Sequence, residues 1–140
     1  MTTTNAMCTY LQNALLNHCL ANSAYASPTT VYLGLFLQDP TAAGTFTPGT
    51  YECNGTSYVR VACFGADITG PSGGVASNSA AINFPQAGGS WSTITWCGIL
   101  DALTLNTGFM LFRGQLDVQK VISTNDTLSF GIGALSVTLD

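Results

Sequence analysis

With one histidine and five cysteines among 140 residues, the chain has few routes to chemistry. A nucleophilic serine or cysteine needs a base within hydrogen-bond reach, most often an imidazole. The one imidazole is His18, and it lies in the only segment with helical periodicity. Its neighbour Cys19 cannot serve it, because adjacent side chains on a helix point apart. A metal centre needs three or four ligands. His18 with Cys8 or Cys19 supplies two, and no pair of cysteines shows CxxC spacing. The acidic residues Asp39, Glu52, Asp67, Asp101, Asp117, Asp126 and Asp140 mostly fall beside Gly, Pro, Asn or Thr. There a carboxylate caps a turn, and no pair is marked as the acid and base of glycoside cleavage. Gly70-Pro-Ser-Gly-Gly74 lacks the Lys-Ser/Thr and the following helix of a phosphate loop. The expectation is therefore no catalytic residue, no cofactor and no metal.

The remaining reactive or aromatic side chains have structural readings. The five cysteines are read as small buried hydrophobes, with Cys8 and Cys53 as candidates for an interchain disulfide formed after release from the cell. Cys8 and Cys19 cannot pair if both lie on one helix, where they would stand about 16 Å apart. Trp91 and Trp96 are five apart in one strand and so point to opposite faces, at least one of them into the core. Arg60, Arg113 and Lys120 are the only cations, and all three fall in strand segments. Each is read as a solvated outer-face residue or as the partner of a carboxylate at an interface.

Composition narrows the classes. The chain is 46% hydrophobic, 10% aromatic and only 7% charged, with a formal net charge of −4. An ordinary soluble domain is about 25% charged. Neutralising phosphates needs a basic patch, so nucleic acid is excluded as a partner. Polybasic docking on anionic lipid is excluded for the same reason. No run approaches the roughly 18 apolar residues of a spanning helix. Disorder requires low hydrophobicity with high charge, the reverse of this chain. The opening Met-Thr-Thr-Thr-Asn-Ala-Met has neither the positive nor the apolar region of a secretory signal, which implies folding in a reducing cytoplasm. A weakly charged, apolar-rich surface suits a chain packed against others, since interface cores are depleted in Lys, Glu and Asp.

These side chains are positioned by one helix and about eight strands in a single domain spanning 1–140. Residues 5–21 read as the helix, with Asn5 as N-cap and Met7, Leu11, Ala14, Leu15 and His18 on one face. Residues 30–38 are apolar on both alternating faces, so that strand is buried on both. The segment 40–56 reads as a long exposed loop or a short hairpin. Further strands are read at 57–65, 79–84, 91–99, 109–116, 117–122, 127–132 and 134–139, separated by Gly, Pro and Asn turns. The fold class that follows is mainly β, an antiparallel sandwich or jelly roll with one N-terminal helix.

Several pieces carry a family resemblance when taken in order. They are a helix ending in Ala14-Leu-Leu16, then Pro28-Thr-Thr-Val-Tyr-Leu-Gly-Leu-Phe36, Asp39-Pro-Thr-Ala-Ala-Gly44 and Tyr58-Val-Arg-Val-Ala62. They continue with Ser77-Asn-Ser-Ala-Ala-Ile-Asn-Phe-Pro85, Trp91-Ser-Thr-Ile-Thr95, Gly98-Ile-Leu-Asp101, Asn125-Asp-Thr-Leu-Ser-Phe130 and Leu135-Ser-Val-Thr-Leu-Asp140. In this order the chain resembles small tailed-phage virion proteins, usually labelled tail or tail-fibre proteins. It departs from them in its five cysteines and its longer 45–57 loop. The resemblance implies a non-enzymatic structural role in the virion, in a protein made in the bacterial cytoplasm.

A fibre shaft shows heptads or Gly-X-Y, and neither is present. The leading expectation is therefore a capsid cement or decoration protein. It would be a homo-dimer or trimer that bridges neighbouring subunits of the major capsid protein or binds other virion proteins. Its interface candidates are Met7, Leu11 and Leu15 of the helix, Tyr51 of the long loop, and Trp91. The alternative is a tail component: a fibre-attachment, tail-tip or baseplate module. A third reading is a host-glycan-binding module that uses the Trp91 ring.

Overall fold

In a computed structural model the chain is described over residues 5–64 and 68–139. Asp67, Asp140 and the end of the strand expected at 57–65 lie outside the described residues. The elements in chain order are β1 (Asn5–Met7), α1 (Thr9–Leu20), β2 (Tyr32–Phe36), β3 (Val61–Ala62), β4 (Ile68–Ser72) and β5 (Val75–Asn78). They continue with β6 (Ile82–Asn83), β7 (Ser92–Leu100), β8 (Met110–Ile122), β9 (Ser129–Phe130) and β10 (Ser136–Thr138). The strands form a five-stranded sheet ordered β1-β8-β7-β2-β3, a three-stranded sheet ordered β10-β5-β4, and a β6-β9 pair. Every one of these strand pairs is antiparallel. The protein is thus mainly β with one helix.

The two-faced apolar pattern of 30–38 explains why β2 sits inside the largest sheet. Leu33 and Leu35 point into the main core, together with Trp91, Ile94, Cys97, Ile99, Ile82, Phe130 and Val137. That core lies where the five-stranded sheet meets the two smaller ones. Phe36 points the other way, into a second cluster with Cys8, Leu100 and Met110. Both faces are therefore dry, as a strand without a polar face requires.

β7 changes face partway along. Ile94 pairs with Lys120, and Trp96 pairs with Gln115. Two steps along β7 thus match five along β8, and residues 116–119 of β8 arch off the sheet without β7 partners. The irregularity lets Ile94 join Cys97 and Ile99 in the same core, which strict alternation forbids. It also explains why the sequence reads 109–116 and 117–122 as two strands: a single long strand is interrupted at its arch.

Three expectations need correction. The helix begins at Thr9, not Asn5, and the N-cap position is Cys8, which makes no side-chain cap. Residues 5–7 instead pair with Phe112, Arg113 and Gly114, and the Cys8 amide donates to the Leu111 carbonyl at 2.8 Å. A sheet edge that satisfies the backbone outcompetes one more helical turn. Second, Gly70-Pro-Ser-Gly-Gly74 is not merely a turn, because β4 and β5 pair on either side of it. Gly73 and Gly74 both have positive φ, at 59° and 78°, which is the geometry of a tight hairpin turn and favours glycine. Third, the strands expected at 57–65, 79–84 and 127–132 shrink to two residues each within the described chain.

Candidate functional site

The densest polar arrangement lies in the interior. Segment 51–53 runs beside β2: the Cys53 amide donates to the Leu35 carbonyl at 2.9 Å, and the Leu37 amide donates to the Tyr51 carbonyl at 2.8 Å. This brings Glu52 under β2 at Gly34, where a Cβ would stand 3.0 Å from Glu52 Oε1. A side chain there would crowd the carboxylate. Glu52 is 0% and Arg60 1% exposed. Arg60 Nε donates to Glu52 Oε1 and Nη2 to Oε2, each at 2.7 Å, a bidentate pair. Arg60 Nη1 donates to three carbonyls of loop 101–109: Ala102 at 2.7 Å, Thr104 at 3.0 Å and Thr107 at 3.1 Å. Its guanidinium lies 5.3 Å from the centroid of Phe46, within cation–π range. The Tyr58 hydroxyl accepts from the Leu35 amide at 2.8 Å and donates to Glu52 Oε1 at 3.1 Å. Burial first, and the neighbouring Glu52 carboxylate second, hold the Tyr58 phenol well above its ordinary range, so it stays protonated.

This network corrects two expectations. Arg60 is not an outer-face residue, and Glu52 is not a turn cap. Both charges are sealed from water, and each of their nitrogens and oxygens has a hydrogen-bond partner, which is the condition for burying charge at tolerable cost. No substrate can reach them. Chemically the cluster is a clasp that ties segment 51–60 to β2 and to loop 101–109. A faint signal was present in the sequence: two opposite charges eight residues apart, flanking a tyrosine, in a chain almost without charge.

Asp39, Asp101 and Asp126 hold turns, whereas Asp117 lies within β8 and is not the turn cap its sequence context suggested. Asp39 Oδ1 accepts from the Thr41 amide at 2.8 Å, Asp101 Oδ1 from the Phe109 amide at 2.6 Å, and Asp126 Oδ2 from the Ser123 amide at 2.8 Å. Asp39 also pairs with Arg113, whose guanidinium lies 5.4 Å from the Trp96 ring centroid. Lys120 is exposed on β8. His18 is exposed, and its Nδ1 accepts from the Tyr25 amide at 3.2 Å. Among the described residues no three His, Cys, Asp or Glu side chains are grouped to hold a metal ion. Among the same residues no helix is long and apolar enough to cross a membrane.

The residues singled out for interfaces are scattered. Met7 and Leu15 are half-buried on β1 and α1. Leu11 is the buried residue of α1. Tyr51 packs against the second apolar cluster. Trp91 is 2% exposed; its indole N–H donates to the Thr56 carbonyl at 2.9 Å, and its ring meets Tyr58 edge-on. The side chains that do reach solvent include Leu16 and Leu20 on α1, Phe109 stacked at 4.0 Å on Tyr10, and Ile132. All five cysteines are free; Cys8 and Cys53 are buried, and Cys19 is the exposed one. Burial pushes the Cys8 thiol up to about 11 and those of Cys63 and Cys97 up to about 12, and it raises Cys53 as well. These are the inert thiols of a packed interior.

Comparison with known proteins concerns the chain as a whole. The family described as podophage GP4 fiber I protein gp80 matches residues 6–138. Among curated proteins no relative matches.

Proposed function

The chain belongs to the podophage GP4 fiber I protein gp80 family, and from that premise we propose that it is a structural component of the phage tail, part of a fibre or of its attachment. It is a tailed-phage virion protein made in the bacterial host. The observation that carries the proposal is the family match, which runs through every described element from β1 to β10. It favours the tail reading over capsid cement.

Three features support a role of holding rather than reacting. The best-built polar cluster, Glu52–Arg60, is closed to solvent. The surface carries few charges, so its contacts are apolar and hydrogen-bonded. We also read 1–140 as one domain, because a single core draws on all three sheets. The partners are then neighbouring virion proteins, met through half-buried Met7, Leu15 and Tyr51 and the exposed leucines of α1. Neither nucleic acid nor membrane is a partner in this reading.

Separated heads and tails from purified particles test the proposal. Quantitative mass spectrometry is expected to place the chain in the tail fraction at low copy. Recovery with the heads, at a copy number comparable to the major capsid subunit, would overturn it in favour of cement.

A further inference from the structure

The link between α1 and β2 is loosely tied. None of residues 21–30 joins a strand, and Tyr25 alone among 21–27 is half-buried. Among the described residues, 24–30 makes a single hydrogen bond: the Tyr25 amide donates to His18 Nδ1 at 3.2 Å. Asn22 makes that reach possible. Its φ of +53° turns the chain back after α1, while the Ala21 and Ser23 amides both donate to the Asn17 carbonyl, at 3.0 and 3.1 Å. This closes the helix end and brings the strap 21–30 back alongside the last helical turn.

The acceptor in that one bond is titratable. A neutral imidazole accepts at one nitrogen, whereas a protonated one carries N–H on both. On protonation the Nδ1 hydrogen points at the Tyr25 N–H, and the bond is lost. His18 also lies in the last turn of α1, where carbonyls without helical partners favour a cation. A proton on His18 therefore gains the helix end and loses the strap. The titratable groups on the strap side are Tyr25 itself, Tyr10 of α1 and Asp101 after β7. Burial first, then Tyr10 and Asp101, raise the Tyr25 phenol above its ordinary range, so it carries no charge in acid or neutral solution. Asp101, the acid of this group, adds to the pull of the helix end. The strand against which α1 packs, β8, carries Arg113, Asp117 and Lys120. Arg113 is paired with Asp39 beside the Trp96 ring, and Asp117 and Lys120 line a depression beside Gly131. Neither ion pair among the described residues includes His18.

We propose that His18 is a pH-sensitive latch: its neutral imidazole holds the strap 21–30 against the end of α1, and protonation releases it. Release loosens the connection between the helix and the sheet and leaves the sheet intact, because the pairing of β2 begins at Tyr32. The latch concerns the chain's own conformation, so it stands or falls separately from the location of the protein on the particle.

Solvent-exchange NMR of the full chain reads the latch at the Tyr25 amide, as protection relative to a peptide of the strap sequence at the same pH. From about pH 8 to about pH 5, the range over which histidine takes up its proton, protection is expected to fall by about 2- to 10-fold, the worth of one net hydrogen bond. The fall is expected to follow the shifts of the His18 ring. His18→Asn puts an amide oxygen near the place of Nδ1 and does not titrate, so it is expected to show no step between the two ends. His18→Ala is expected to lack the protection at both. His18 is exposed, so both variants are expected to keep the wild-type amide spectrum outside 17–30. Wild-type protection that stays level while the His18 ring titrates overturns the inference. So does a pH step that survives in His18→Asn, or a His18→Ala protein as protected as the wild type at the alkaline end.

Discussion

Replacing Arg60 by methionine removes the cation from the clasp while keeping a side chain of similar length. Glu52 is then left at 0% exposure with only the Tyr58 hydroxyl, at 3.1 Å, to answer its charge. The carbonyls of Ala102, Thr104 and Thr107 lose their shared donor. Stranding one charge of a buried pair costs about 3–5 kcal/mol. Unfolding entropy of ~2.1 cal/mol/K per residue corresponds to roughly 0.3 kcal/mol per degree in a chain of this length, so Tm is expected to fall by about 10–17 °C. The double variant Glu52→Gln/Arg60→Met no longer strands a charge and is expected to recover about 1–2 kcal/mol of that loss. Differential scanning calorimetry of the three proteins measures both numbers. Hydrogen exchange at the Phe109 amide, which Asp101 holds, reports whether loop 101–109 loosens with the clasp. An Arg60→Met protein that melts within ~2 °C of the wild type would refute the reasoning, since no buried, unanswered carboxylate is that cheap.

Other expectations follow from the same packing. Trp91→Ala empties a fully enclosed site and is expected to cost about 3–5 kcal/mol in urea unfolding; host polysaccharide binding that depends on Trp91 without loss of stability would contradict its placement in the core. Among the thiols, Cys19 is exposed and is expected to react with a maleimide within the folded protein, while Cys8, Cys53, Cys63 and Cys97 react only on unfolding. Alkali is expected to destabilise the fold. The thiols of Cys8, Cys63 and Cys97 titrate near 11, 12 and 12 when folded against an ordinary 9.0. The folded chain therefore holds those protons more tightly, and its stability is full below pH 9 and falls as pH rises toward 12. A Tm that stays level or rises over that range counts against buried thiols. If copies cross-link through cysteine while folded, non-reducing gels of a Cys19→Ser variant are expected to lose the oligomer band, whereas Cys8→Ser and Cys53→Ser keep it.

What the sequence made legible was whatever depended on local pattern. The two-faced apolar run of 30–38 marked a central strand because alternation reports burial directly. The aspartates at 39, 101 and 126 marked turns because a carboxylate answers amides two to eight residues away. What depended on distant partners was hidden. Residues 5–7 read as helix because their strand partner lies more than a hundred residues later, on β8. Arg60 read as a surface charge because its carbonyl ligands come from a loop over forty residues downstream. The arch at 116–119 shifted the face of β7 in a way that strict alternation cannot foresee. Trp91 and Leu11 read as contact residues because aromatic and apolar types are shared by cores and interfaces. Burial separates the two, and burial belongs to the fold.

The central claim is that this chain works as a structural piece of the tail, and cryo-electron microscopy of the intact particle tests it most directly. Density matching the five-stranded sheet and its helix is expected at the tail or at the root of a fibre, in contact with other virion proteins. The same density repeated over the capsid lattice, or a complete particle lacking it, would contradict the account.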